Sequence, residues 1–189
     1  MNPLGNWVSL DELCRDILPI ISSLATNCTW GYSEFDDRNQ ILFNAFKNFP
    51  GFNSIIVQEQ GEESRDFIAR QVELGNVQTL YLYAGESGEW PEPKKLARTL
   101  QIFVNSSRFR ELIYHGSLPN AAGLFEVFLE RALAGELKLG ARLQIYNISL
   151  AKNKALRPER RAYSARIAWQ IPNSNRRVTL EQPDRIEVE

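Results

Sequence analysis

One histidine, one methionine and two cysteines stand in 189 residues. Each scarcity excludes something. His115 has no neighbour in the sequence that completes a catalytic triad, and no other imidazole exists to act as acid or base. Two cysteines and one histidine fall short of an ordinary structural zinc site, and Cys14 and Cys28 lack metal-ligand spacing. A single cysteine pair is not a disulfide scaffold either. Reduced thiols in a cytoplasmic or nuclear protein are the expectation.

Net charge is also missing. Lys plus Arg total 22 and Asp plus Glu total 23, for a formal charge of −1. That balance provides no general attraction to nucleic acid or to an anionic membrane. No apolar run reaches the ~20 residues of a membrane span. The start, "MNPLGNWVSLDELC", has no basic stretch followed by an apolar one, so no secretory signal is expected. The Asn-x-Ser/Thr triplets at Asn27, Asn105 and Asn147 would matter only in the secretory pathway. Neither glycine-rich phosphate-binding pattern is present. Arg157, Arg160 and Arg161 make a small basic patch that reads as a solvated loop. Glu62-Glu63 and Asp36-Asp37 read as helix-start acids rather than paired catalytic carboxylates. No catalytic residue, metal or cofactor is expected.

What is present is recurrence. Phe52-x-x-Ile55-x-Val57, Val77-x-x-Leu80-x-Leu82 and Phe109-x-x-Leu112-x-Tyr114 share one apolar template, and Leu143-x-Ile145 keeps its last two positions behind Gly140. The central residues Ile55, Leu80, Leu112 and Leu143 are 25, 32 and 31 residues apart. Helical patterns fill the gaps. Phe67, Ile68, Val72 and Leu74 mark one apolar face ahead of Gly75-Asn76. Leu96, Leu100, Phe103 and Val104 mark the next, with Pro93 suited to its first turn. Leu124, Phe125, Phe128, Leu129 and Leu133 mark the third.

Strand and helix repeated at this spacing predict an α/β fold. Specifically, they predict a short leucine-rich-repeat-like βα solenoid with parallel strands, each unit burying apolar surface against the next. The expected divisions are an N-terminal helical cap over 1–51, the βα repeats over 52–150, and a linker with a C-terminal β-hairpin cap over 151–189. In the first division, Ser9 and Glu12 form a Ser-x-x-Glu capping box, and Pro19 ends or kinks the helix that follows. A second helix is expected from Asp36 or Asp37 through Phe49. In the last division, "AYSARIAWQIP", "RRVTLEQ" and "RIEVE" carry strand patterns, the first two joined by "NSN" turn chemistry.

Alternation along the strands sorts residues onto two faces. Ile55, Val57, Leu80, Leu82, Leu112, Tyr114, Leu143 and Ile145 are expected to face the helices. The other face then holds three rows. One is Ser54, Thr79, Glu111 and Arg142. The next is Ile56, Tyr81, Ile113 and Gln144. The third is Gln58, Tyr83, His115 and Tyr146. Three tyrosines and two isoleucines on one face are too apolar to be left in water without a reason. Either Ile56, Tyr81, Tyr83, Ile113, His115 and Tyr146 contact a partner protein, or the N-terminal segment or cross-strand packing covers them.

The stretches "SRDFIARQVELGNVQTLYLYAG", "LARTLQIFVNSSRFRELIYHG", "LFEVFLERALAGELK" and "WQIPNSNRRVTLE" carry a resemblance. Together they span roughly residues 52–182. The pattern resembles the large nematode-expanded family of F-box-associated proteins, the type with a short βα repeat region, here without a clear F-box. The resemblance implies a non-enzymatic protein-binding region that recruits a target to a cullin ubiquitin ligase, whose adaptor would be bound by an F-box. The alternatives are an interaction scaffold or decoy with no ligase link, and an enzyme whose site is assembled from scattered residues.

Overall fold

A computed structural model of the chain describes residues 9–17, 19–20, 25–30, 43–59, 61–84, 90, 92–116, 118, 121–146, 166–170, 175–181 and 185–188. Of the expected second helix only residues 43–49 are described, and it ends at Phe46, with a turn at 47–48 rather than helix through Phe49; the basic stretch 151–162 lies outside the described residues. The described chain is mixed α/β. Its eight strands are β1 (Asn27–Trp30), β2 (Ser54–Gln58), β3 (Thr79–Tyr83), β4 (Glu111–His115), β5 (Arg142–Tyr146), β6 (Arg166–Gln170), β7 (Arg177–Glu181) and β8 (Arg185–Val188). They form one sheet in the order β1-β2-β3-β4-β5-β8-β7-β6. The first five strands run parallel, and the last three join antiparallel.

Each of three parallel connections carries a 13-residue helix: α1 (Glu62–Leu74), α2 (Pro93–Asn105) and α3 (Ala121–Leu133). The apolar stripes expected from sequence are the buried ones, except that Leu74 and Leu133 at the helix ends are only partly buried. Phe67, Ile68 and Val72 on α1, Leu96, Leu100, Phe103 and Val104 on α2, and Leu124, Phe125, Phe128 and Leu129 on α3 all join the core. Ile55, Val57, Leu80, Leu82, Leu112, Tyr114, Leu143 and Ile145 meet them, every one at 0% exposure. Each such side chain contributes about 1.5–3 kcal/mol over an exposed one. This single shared interior is what holds sheet to helices.

The helix ends follow from local chemistry. Glu62 and Glu63 sit in the first turn of α1, where the macrodipole favours acids, and Pro93 opens α2. Gly75 closes α1 in the left-handed region at φ 73°, where its N–H bonds Val72 C=O at 3.0 Å. At the N-terminus, Ser9 and Glu12 make the capping box. Glu12 Oε2 accepts from Ser9 N–H at 2.9 Å, and Glu12 N–H donates to Ser9 Oγ at 3.2 Å. The helical stretch Leu10–Glu12 then widens into a π turn, Leu13–Ile17, just ahead of Pro19. A proline ring crowds the carbonyl four residues back, which suits a widened turn there.

Successive strands are tied by the same backbone device. Thr26 C=O accepts from the N–H groups of Asn53 and Ser54, Asn53 C=O from Gln78 and Thr79, and Gln78 C=O from Arg110 and Glu111. Polar side chains add to the tie at the same end, where the helices close and the strands begin. Asn76 Nδ2 donates to Pro50 C=O, and Arg108 Nη1 donates to Asn76 Oδ1 at 3.0 Å. Arg131 donates to Val104 and Ser106 C=O.

The parallel series begins earlier than expected. Residues 1–51 read as helical, yet β1 lies inside them and pairs with β2, Cys28 opposite Ile55. Ala25-x-x-Cys28-x-Trp30 is the same template as Phe52-x-x-Ile55-x-Val57. Small side chains at 25 and 28 weaken its apolar signature. Trp30 supplies the bulk, its ring 4.5 Å from Phe43 and stacked on it, within a cluster that includes Phe46, Phe49, Phe52 and Phe67. At the other end the three C-terminal strands do not follow chain order. β8 enters between β5 and β7, with Leu143 opposite Ile186, and β6 is the terminal strand. Trp169 stands opposite Val178 in the β6–β7 register.

Candidate functional site

The outer face of the parallel sheet, turned away from the helices, gathers the residues expected to bind. The register places them as the alternation predicts. Ile56, Tyr81, Ile113 and Gln144 are consecutive partners across β2 to β5. Gln58, Tyr83, His115 and Tyr146 are the next row toward the strands' C-terminal ends. Ile56, Tyr81, Ile113 and His115 are half-buried, whereas Tyr83 is exposed at 38%. The place of Tyr146 comes from the backbone register alone.

Three relationships organise this face. The rings of Tyr83 and His115 stack, centroids 4.7 Å apart and planes 17° from parallel. Glu111 and Arg142, opposite each other on β4 and β5, form an ion pair. Tyr81 Oη donates to Glu111 Oε2 at 2.6 Å, reaching from the middle row into the first. The Glu111–Arg142 pairing was legible from sequence. The Tyr81 bond was not, because it depends on a side chain leaning toward the strands' N-terminal ends. β1 adds two positions that the sequence reading omitted. Asn27 extends the first row beside Ser54 and Thr29 extends the middle row beside Ile56, both exposed.

A second polar cluster lies where α1 and α2 begin. Arg65 is 3% exposed and binds Glu92 and Asp66, the latter through Nη2 at 2.9 Å. Glu92 also accepts from Lys95 Nζ at 2.9 Å. That hydrogen bond first, and the Arg65 charge behind it, hold the Glu92 carboxyl below its ordinary value. Nothing in the sequence pairs residues 27 apart, so this buried arginine was not foreseen. The cluster joins one helix to the next, and its charges satisfy one another.

The thiol of Cys28 is free and buried, and burial pushes its pKa up to about 11. It is therefore a poor nucleophile and packs as a small apolar group. Among the described residues, no group of three His, Cys, Asp or Glu side chains is placed to hold a metal ion. Among them also, no helix is long and apolar enough to cross a membrane.

No family model, curated protein or solved structure matches the chain.

Proposed function

We propose that the chain is a short βα solenoid of leucine-rich-repeat-like coils, covered at its N- and C-terminal ends, that works without catalysis as a protein-interaction module. The docking surface is the outer sheet face around Ile56, Tyr81, Tyr83, Ile113, His115 and Tyr146. One observation carries this above the others. Apolar and aromatic residues recur in register on the face opposite the core, and Tyr83 presents its stacked ring to solvent. Aromatic side chains on rigid strands are favoured anchors at protein interfaces, because little entropy is lost on binding.

The resemblance to F-box-associated proteins extends this to recruitment of a target for a cullin ubiquitin ligase. A scaffold with no ligase link is the second reading, favoured by the strand at Asn27–Trp30, which takes part of the N-terminal segment into the sheet. Affinity purification with mass spectrometry distinguishes them. Recovery of a cullin adaptor with the wild-type chain supports ligase assembly, and its reproducible absence alongside another captured protein supports a scaffold. The double variant Tyr81→Ala/Tyr83→Ala tests the surface. It is expected to remain folded by circular dichroism and to lose the captured protein. Undiminished capture by the folded variant removes the surface assignment.

A further inference from the structure

We propose that the middle row of the outer face, Ile56, Tyr81 and Ile113, receives an uncharged aliphatic segment of the partner protein, and that Glu111 and Arg142 act as positioning residues for it. The inference rests on the outer face being the docking surface.

Tyrosine at an interface ordinarily offers a ring and a hydroxyl. Here the hydroxyl is engaged, because Tyr81 Oη donates to Glu111 Oε2 at 2.6 Å. Glu111 in turn is neutralised by Arg142 on the next strand, with their side chains only 15% and 27% exposed. A carboxylate that accepts from a phenol and pairs with a guanidinium offers a partner's cation little attraction. Tyr81's two neighbours in the row, Ile56 and Ile113, carry no polar side-chain atom, and the polar Thr29 and Gln144 lie only beyond them. The row therefore presents a ring between two branched aliphatic groups, with its nearest charges cancelled. A charged residue placed there would lose hydration without gaining a counter-charge, whereas an aliphatic one gains apolar burial. Electrostatic complementarity to a neutral row is a neutral occupant.

The two positioning residues act through Tyr81. With Oη anchored, the ring is held in one rotamer, and the partner meets a preformed surface rather than a mobile one. Tyr81→Phe keeps the ring and loses only the anchor. Tyr81→Ala loses both.

The test is selection of linear peptides from a phage-displayed random library on the immobilised full chain, with affinities of the enriched peptides then measured for variants. Enriched peptides are expected to share Leu, Ile, Val or Met anchors. They are expected to lose about tenfold in affinity for Tyr81→Ala and Ile113→Thr, as truncated interface anchors do. Tyr81→Phe and Glu111→Gln are expected to weaken binding about two- to threefold, through loss of pre-organisation. Affinity is expected to change little between 50 and 500 mM salt. Enrichment of peptides with a shared charged anchor, or a Tyr81→Phe loss equal to that of Tyr81→Ala, overturns the inference while leaving the docking face in place. Peptides that bind Tyr81→Ala and Ile113→Thr as well as wild type overturn both.

Discussion

His115 lies nearly flat against Tyr83, ring centroids 4.7 Å apart, on directly paired positions of adjacent parallel strands. Parallel in-register strands bring like positions side by side at about 4.8 Å, close to the spacing that two stacked rings adopt. The stack is thus a consequence of the repeat as much as of the two residues. A double-mutant cycle of Tyr83→Ala and His115→Ala in urea denaturation is expected to give a coupling of about 0.5–1.5 kcal/mol. Additive effects would mean that the rings adjoin without supporting one another.

The two faces of β4 predict opposite sensitivities one residue apart. Leu112 is fully buried against the helices, and Ile113 is half-buried on the outer face. Leu112→Ala removes three buried carbons from a packed interior and is expected to cost about 2–5 kcal/mol. Ile113→Thr keeps a β-branched side chain on the outer face and is expected to cost under about 1 kcal/mol. Urea midpoints at unchanged slope measure both. Equal losses would mean that the outer face is covered as thoroughly as the core.

That alternation explains why so much of the parallel sheet could be read from sequence. Ile55, Leu80, Leu112 and Leu143 announce themselves because each stands two residues before a second core residue, Val57, Leu82, Tyr114 or Ile145, and because helices fill the intervals. The face then follows from period-two geometry alone, down to Glu111 opposite Arg142. Cys28 escaped because a small residue satisfies the same position with less apolar area, and the bulk came from Trp30 and Phe43 instead. Arg65 escaped for a different reason. Its burial depends on Glu92, fixed by the path of the chain before α2 rather than by any local pattern. The place of β8 between β5 and β7 is likewise a long-range pairing choice, invisible to a reading that proceeds along the chain.

Burial of Cys28 gives a chemical test of β1. With its pKa raised to about 11, only roughly one thiol in a thousand is ionised at pH 8, and the side chain is shielded as well. In a Cys14→Ser background, Cys28 is expected to react with an aromatic disulfide reagent far more slowly in the native protein than in 6 M guanidinium. The reaction should accelerate in step with global unfolding, since exposing Cys28 requires β1 to leave a core that also holds Ile55 and Val57. Fast labelling of the native protein would show that β1 opens on its own.

Glu92 combines strain with charge, and the two can be separated. It is the only non-glycine residue with positive φ among the described residues, at φ 45°, and its carboxylate binds Arg65 and Lys95. Glu92→Gly relieves the backbone and removes the charge, whereas Glu92→Ala keeps the strained backbone and removes the charge. The alanine variant is therefore expected to be the less stable of the two, read as the lower urea midpoint at neutral pH. The pH dependence isolates the charge. Because the Glu92 carboxyl is held below its ordinary value when folded, its stabilisation is present above the ordinary carboxylate range and is lost as pH falls through the folded value. Wild type is expected to lose more stability between pH 6 and pH 3 than either variant does. Identical acid profiles for all three would show that the Arg65–Glu92 contact carries no net stabilisation. The left-handed turn before α2 would then be held by packing alone, with Trp90, buried two residues earlier, as its anchor.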